Sequence, residues 1–103
     1  MIKIQINKTN NKYSSLIVSG HSNYDEHGKD IVCAGVSAIV TGGINALAIE
    51  DKNAISYRVS DGYVNLDVLD IENNNIQSII DVIIIQLKTI EESYKKYVKI
   101  YEK

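Results

Sequence analysis

The chain has little of several features that would mark a specialised class of protein. Among its 103 residues there is one cysteine, and there is no proline, tryptophan or phenylalanine. A single thiol cannot form an internal disulfide, which excludes a disulfide-stabilised secreted scaffold. The net charge is −2, so the chain lacks the basic surface that typifies nucleic-acid binding.

Long hydrophobic runs are also missing. No unbroken apolar run exceeds four residues, as in residues 82–85, and this is far too short to span a bilayer. Residues 1–6 alternate between apolar and polar types and lack the apolar block of a signal peptide. We therefore expect a cytoplasmic protein with no membrane partner.

The composition that remains is typical of one globular domain covering residues 1–103. Hydrophobic residues make up 45% and charged residues 23%. A chain of this length buries about two thirds of its unfolded surface, enough for a core without a metal or disulfide. The apolar periodicity predicts an α+β fold in the order β-β-α-β-β-α, with a small, largely antiparallel sheet. Strands are predicted at 1–6, 13–19, 54–60 and 63–68, the last two joined by a tight turn at Asp61-Gly62.

Two helices complete the prediction. The first runs from Ile31 to about Glu50, with Asp30 as its N-cap. One side of it carries small residues that predict close packing: Ala34, Gly35, Ala38, Gly42 and Ala46.

The second helix is predicted to be long, since it follows the asparagines at 73–75 and continues toward the C-terminus. Its apolar stripe steps by four and three residues: Ile76, Ile80, Ile83, Leu87, Ile90, Tyr94, Tyr97 and Tyr101. About 28 helical residues would be roughly 42 Å long, longer than a domain of this size is wide. We expect a homodimer to cover the distal end.

Cys33 is the most informative residue, because any sulfur chemistry must occur there. A lone cysteine is commonly a small buried hydrophobe. With Asp30 as N-cap, however, Cys33 is the third residue of the helix, where free N–H groups and the helix dipole favour a thiolate. The dipole alone contributes only about 0.3 to 1 kcal/mol, so activation requires a histidine.

Two histidines lie in the preceding segment. His21 directly follows the second strand, whereas His27 lies among polar loop residues. A general base requires a rigid mount, which favours His21. The segment 22–29 is polar, and with Gly20 and Gly28 as hinges it is predicted to close over a bound peptide.

A metal site is the alternative use of these side chains. His21, Asp25, His27 and Cys33 are all zinc ligand types, but their spacing matches no paired Cys or His motif. We expect neither a metal nor a cofactor.

The string Gly20-His21-Ser22, followed by Gly28-Lys29-Asp30-Ile31-Val32-Cys33-Ala34-Gly35-Val36-Ser37, resembles the ribosomal-processing cysteine protease family, Prp. That family is marked by a GHA element and a G-x-DIVCA-x-VS element. The resemblance implies a cytoplasmic endopeptidase, usually a homodimer. Such an enzyme removes an N-terminal extension from ribosomal protein number twenty-seven of the large subunit. The ribosomal protein precursor is then the expected partner, with no direct nucleic-acid contact.

The resemblance also implies roles for individual residues. The nucleophile falls on Cys33 and the catalytic histidine on His21, while Asp30 and Ser37 match the family's aspartate and serine. Three possibilities are open for Asp30: it orients His21, it caps the helix, or it does both. Ser22 stands where the family usually has alanine.

The implied mechanism is acyl transfer. Cys33 attacks the scissile carbonyl, His21 transfers the proton, and N–H groups near Cys33 and Ala34 hold the oxyanion.

Two non-enzyme hypotheses remain open. One is an RNA- or ribosome-binding module in which Tyr13, Tyr57 and Tyr63 form a stacking platform on the sheet. The other is a dimeric scaffold built on the long helix, which predicts an unreactive thiol.

Overall fold

A computed structural model describes residues 1–26 and 30–103, and the predictions for His27 and Gly28 lie outside these residues. The described strands are β1 (Ile2–Thr9), β2 (Lys12–Ser19), β3 (Ile55–Ser60), β4 (Tyr63–Val68) and β5 (Val98–Glu102), and the helices are α1 (Ile31–Asp51) and α2 (Asn74–Ser93). A short 3₁₀ turn, Lys52–Ala54, follows α1. The predicted α+β fold is confirmed, and one further strand follows the second helix.

The strands form one sheet in the order β3-β4-β2-β1-β5. All neighbours are antiparallel except β1 and β5, which are parallel. Alternation along β1 buries Ile2, Ile4 and Ile6 on one face of the sheet. Leu16 of β2 and Leu66 of β4 pair with each other on that same face, so the core lies on one side of the sheet.

The two helices cover this apolar face. Val36, Val40 and Leu47 of α1 and Ile80 and Leu87 of α2 belong to the same buried cluster as the strand residues. Polar N-caps fix where the helices begin. Asp30 accepts hydrogen bonds from the amides of α1, and Asn73 accepts one from α2. The Asp30 cap was predicted from the sequence, and Asn73 is the first of the three asparagines that precede the second predicted helix.

The predicted length of the second helix is wrong. Helix α2 has 20 residues and ends at Ser93, so it is no longer than α1. The tyrosines at 94, 97 and 101 continue the helical spacing by coincidence, because residues 98–102 pair with the free edge of β1. Val98 is buried and Lys99 exposed, which is the alternation of a strand. The homodimer prediction therefore loses the unusually long helix on which it was based.

Small residues of α1 allow close packing at only part of the predicted stripe. A Cβ on Gly35 would lie 3.5 Å from Cδ1 of Ile90, and a Cβ on Gly43 only 2.5 Å from Cδ1 of Ile83. A Cβ on Gly42 would meet no atom within 4 Å. The closest approach is therefore at Gly43, which was not part of the predicted stripe, and Gly42 faces open space.

The stretch Ile31–Ala54 is also long and apolar enough to cross a membrane, since an 18-residue window in it has a mean hydropathy of 1.9. Unbroken apolar runs do not reveal this, because glycine and polar residues interrupt the stretch. The buried positions of α1 pack into the core of the fold. Core helices commonly meet the same criterion, so the property is weak evidence for a membrane segment. The absence of a membrane partner stays a prediction.

Candidate active site

Cys33 lies in the first turn of α1, as predicted, and Asp30 anchors that turn. Oδ1 of Asp30 accepts hydrogen bonds from the amides of Val32 and Cys33, both at 3.0 Å. The amide of Ala34 donates to the carbonyl oxygen of Asp30 at 3.0 Å. The two N–H groups predicted to hold an oxyanion are therefore already engaged by Asp30. Their role in the reaction stays a prediction.

The thiol of Cys33 is half-buried and has its polar contacts with Ser22. The amide of Ser22 donates to Sγ at 3.3 Å, and the hydroxyl oxygen of Ser22 lies 3.4 Å from Sγ. The same hydroxyl is hydrogen-bonded to Oδ2 of Asp30. Ser22 is itself buried and thus joins the sulfur to the carboxylate of the helix cap.

Asp30 organises the preceding loop as well as the helix. Its Oδ2 accepts the amides of Tyr24 at 3.0 Å and Asp25 at 3.5 Å. Burial opposes ionisation, but the bonds from Ser22 and from the amides of Cys33, Tyr24 and Asp25 prevail and lower the pKa of Asp30 to about 2. Asp30 is thus an anion at neutral pH. It caps the helix, and among the described residues its carboxylate has no bond to the His21 ring.

His21 is held by the end of the sheet, as its position after β2 predicted. The carbonyl oxygen of His21 accepts a bond from the amino group of Met1 at 2.6 Å. The preceding amide, of Gly20, donates to the carbonyl oxygen of Gly62 at 2.9 Å. Gly20 has a φ of +91°, and a Cβ there would collide with the carbonyl oxygen of Met1. Its predicted role as a hinge is untested.

The imidazole of His21 lies over the β3–β4 turn. A Cβ on Gly62 would be 2.8 Å from Nε2 of His21. The ring is exposed, and no hydrogen bond joins it to the thiol of Cys33 in the described part of the chain. The imidazole of His21 and the thiol of Cys33 are therefore not hydrogen-bonded to each other in this structure.

A cavity of about 660 Å³ nevertheless contains both groups. It lies between the start of α1 and the β3–β4 hairpin. Its lining combines polar groups with an apolar strip made of Val36 and Val40 of α1 and Val59 and Val64 of the hairpin. A nucleophile, an imidazole and an apolar strip in one open cavity fit a site that binds and cleaves a peptide.

The comparison with known families agrees with this arrangement. A family model described as cysteine protease Prp matches residues 1–99. The chain belongs to the Prp family. It is accordingly a cysteine-type peptidase, and the family predicted from the sequence motifs is confirmed.

Individual members of the Prp family match almost the whole chain. The ribosomal processing cysteine protease Prp of Staphylococcus aureus (strain Mu50) is 33% identical over 91 residues, which cover 86% of each chain. That of Bacillus subtilis (strain 168) is 34% identical over 107 residues, covering 97% of this chain and 96% of the relative. A crystal structure of the S. aureus Prp with a covalently linked product peptide has a TM-score of 0.95 and 31% identity, with full coverage of both chains.

The remaining residues assigned from the Prp motif also lie at this cavity. Ser37 and Ala34 line it, together with Gly20 and Asp30. Within residues 1–26 and 30–103, no group of three or more His, Cys, Asp or Glu side chains is arranged to hold a metal ion. The zinc alternative included His27, which is outside those residues.

The structure adds three residues to the site that were not selected from the sequence. Ser22 contacts the thiol, Gly62 lies under His21, and Asn23 lines the cavity with a φ of +57°. The side-chain amide of Asn23 has no hydrogen-bond partner in the described part of the chain. Of these three residues, only Gly62 could be noticed in the sequence, because it lies in the predicted turn at Asp61-Gly62. The structure places that turn beside the end of β2.

The tyrosine platform of the RNA-binding hypothesis does not form. Tyr13 packs against the core, with its hydroxyl donating to Asp81 of α2 at 2.9 Å. Tyr57 pairs with buried Leu66 and therefore shares the helix-covered face. Tyr63 is an odd number of residues from Leu66 along β4, so its side chain points to the opposite face of the sheet. The three rings thus occupy both faces of the sheet and cannot stack bases together.

Proposed function

We propose that the chain removes the N-terminal extension of ribosomal protein number twenty-seven of the large subunit, in the cytoplasm, with Cys33 as nucleophile and His21 as general base. The observation that carries the proposal is the cavity shared by the chain's only cysteine and the sheet-mounted histidine. A cysteine peptidase needs a thiol, and no other cysteine exists here. The names of the relatives, ribosomal processing proteases, support the substrate.

The reaction requires His21 to approach Cys33. Because the exposed ring lies over Gly62 at the wall of the same cavity, we infer that it turns toward Sγ when the substrate enters. His21 then takes the thiol proton while the sulfur forms a bond with the scissile carbonyl carbon. The carbon–nitrogen bond breaks, and the proton passes to the leaving amine. Water hydrolyses the thioester and restores the thiol.

The apolar strip of the cavity indicates what the substrate presents. Val36 and Val40 face Val59 and Val64 across the space beside Cys33. Val36 and Val40 are already buried, so an apolar side chain near the scissile bond would mainly remove the exposed surface of Val59 from water, at about 25 cal/mol per Å². A charged side chain there would lose its hydration without a partner. We therefore expect cleavage beside apolar residues.

Homodimer formation remains part of the proposal, with a different surface in support. Val82 of α2 is exposed and borders a groove that Gly42, Gly43 and Ala46 of α1 also line, and Ile85 of α2 is exposed as well. Apolar helix surface of this kind is commonly covered by a second copy. Sedimentation velocity of the wild type and of Val82→Asp tests it. A wild-type monomer at all concentrations would exclude the dimer.

The decisive experiment is incubation with the host's extended ribosomal protein, followed by mass measurement of the products. Wild type should release the N-terminal extension. Cys33→Ala should show no cleavage and an unchanged circular dichroism spectrum. A folded Cys33→Ala chain that still cuts would overturn the proposal.

The histidine assignment has a matched pair of variants. His21→Ala should lose activity, whereas His27→Ala should cleave at close to the wild-type rate. If both were equally inactive, the base would not be assigned to His21 alone. If only His27→Ala were inactive, His21 would be the wrong residue.

A further inference from the structure

Ser22 occupies a position where its hydrogen bonds can be counted completely. It is 3% exposed, so water does not compete for it. Its hydroxyl oxygen is in contact with Oδ2 of Asp30, lies 3.4 Å from Sγ of Cys33 and accepts the amide of Tyr24 at 3.3 Å. A hydroxyl has one proton to donate and two lone pairs to accept with. Three neighbours therefore use its full capacity.

The direction of the bond to Asp30 follows from charge. The bonds around Asp30 outweigh its burial and lower its pKa to about 2, so the group is a carboxylate at neutral pH. A carboxylate only accepts hydrogen bonds. The single proton of the Ser22 hydroxyl must therefore point to Asp30.

The bond between Ser22 and the sulfur then has only one possible direction. With its proton used by Asp30, the Ser22 oxygen faces Sγ as an acceptor, and the proton between them has to come from the thiol. If Cys33 ionised in this geometry, a lone pair would face a negative sulfur. The hydroxyl would have to turn away from Asp30, losing a charge-assisted bond, to stabilise the thiolate.

We infer that Ser22 is a positioning residue that keeps Cys33 as a neutral thiol in the free enzyme, because its only hydroxyl proton is committed to Asp30. The inference rests on the proposed role of Cys33 as nucleophile. The amide N–H bond of Ser22 to Sγ remains in either protonation state and keeps the sulfur in place.

Other ionisable groups share the cavity with the thiol. Those that line it in the described part of the chain are His21, Asp25, Asp30, Asp61 and Tyr63. Ser22→Ala leaves these groups in place and removes only the bonds of the hydroxyl, one of which is donated to Asp30. A difference between wild type and Ser22→Ala therefore reports the hydroxyl.

The test is the rate at which iodoacetamide alkylates the intact chain, measured against pH. Cys33 is the only cysteine, so the signal comes from one site. In this reaction the thiolate forms the sulfur–carbon bond, iodide leaves and the thiol proton goes to solvent. Ser22→Ala should react about 2- to 10-fold faster than wild type below neutral pH, the equivalent of one neutral hydrogen bond. Superimposable profiles, or a slower variant, would overturn the inference.

The sharpest readout is the same substitution in an Asp30→Asn background. Asparagine is as good an N-cap as aspartate. With its oxygen on the amides of Val32 and Cys33, its NH2 group replaces Oδ2 and donates to the Ser22 oxygen, while the bonds that Oδ2 accepts from the amides of Tyr24 and Asp25 are lost. The Ser22 hydroxyl is then free to donate to the sulfur and to stabilise the thiolate. Removing the hydroxyl should now slow alkylation. A purely structural role for Ser22 would give the same direction of change in both backgrounds.

Two controls complete the experiment. Ser22→Thr retains a hydroxyl with one proton and should restore the wild-type profile. Ser78→Ala removes an exposed serine of α2 outside the cavity and should leave the profile unchanged. Because alkylation needs no substrate, this test can fail while the ribosomal protein is still cleaved. It can also succeed when that protein proves not to be the substrate.

Discussion

The imidazole of His21 lies against Gly62, close enough that a Cβ on residue 62 would be 2.8 Å from Nε2. Gly62 also has a φ of +67°, in the left-handed region. Two constraints therefore require glycine there, the backbone conformation and the room taken by the histidine ring. The turn that joins β3 to β4 thus helps to set where His21 can lie.

Replacing Gly62 by alanine should displace His21 and lower the rate of peptide cleavage. The left-handed backbone should also cost about 1 kcal/mol of the free energy of unfolding. Gly62→Asn separates the two effects, because asparagine tolerates this backbone but still carries a Cβ. Both variants should lose activity, with Asn the more stable by urea denaturation. Full activity in Gly62→Asn would show that the ring does not need this space.

The adjacent glycines of α1 form a matched pair for stability. A Cβ on Gly42 would meet nothing within 4 Å, so Gly42→Ala should stabilise the helix by about 1 kcal/mol. A Cβ on Gly43 would be 2.5 Å from Cδ1 of Ile83, a buried and stiff side chain. Gly43→Ala should therefore destabilise by about 1 to 3 kcal/mol. Thermal unfolding measures both, and equal effects would contradict the packing described.

Local signals in the sequence account for most of the fold. Alternation at Ile2, Ile4 and Ile6 and the caps at Asp30 and Asn73 each depend on neighbouring residues, so they can be identified without the tertiary structure. The end of α2 depends on something distant, the unpaired edge of β1. Tyr94 and Tyr97 fit a helical stripe, and neither proline nor glycine marks the change to β5. The sequence therefore predicted one long helix where the chain forms a helix and a strand.

The residues of the candidate site likewise fall into two groups, those that local sequence patterns predict and those whose position depends on the tertiary structure. His21 and Cys33 could be found because one follows a strand and the other begins a helix. The contact between Ser22 and the sulfur could not, since a serine in a polar loop is usually solvated. Its burial results from Asp30, which draws the amides of Tyr24 and Asp25 inward together with the Ser22 hydroxyl.

The loop before α1 is also held by aromatic contacts. The ring of Tyr24 makes edge-to-face contacts with Tyr94 and Tyr97, at centroid distances of 5.6 and 5.1 Å. Such pairs contribute about 0.5 to 1.5 kcal/mol each. Tyr24→Ala should loosen this loop and speed hydrogen exchange of the backbone amides of residues 24 and 25, which bind Asp30. Tyr57→Ala, which removes an exposed tyrosine from β3, is the control, and equal exchange of these amides in the two variants would show that the aromatic contacts do not order the loop.

Asn23 lines the cavity, and we predict that its side-chain amide donates to the oxyanion, because the amides of Cys33 and Ala34 already bind Asp30. Its φ of +57° suits glycine, so Asn23→Gly removes the side chain without backbone strain. Loss of one such donor lowers the catalytic rate constant by about 100-fold or more. Alkylation of Cys33 should be unchanged, since the nucleophile is untouched. If Asn23→Gly cleaved the substrate at the normal rate, the oxyanion donors would be the helix amides and not Asn23.

Tyr13 predicts how stability changes at high pH. Burial, together with its hydrogen bond to Asp81 and the negative charges of Asp81 and Glu102, raises the pKa of Tyr13 from 10.0 to about 12. Between these values the folded chain holds a proton that the unfolded chain has released. The stability that depends on this proton is therefore complete below pH 10 and is lost as pH rises toward 12. Urea denaturation at pH 8 and pH 11 should show a larger fall for wild type than for Tyr13→Phe, which has no proton to lose. Equal falls in the free energy of unfolding of the two proteins would mean that the protonation of Tyr13 is not linked to folding.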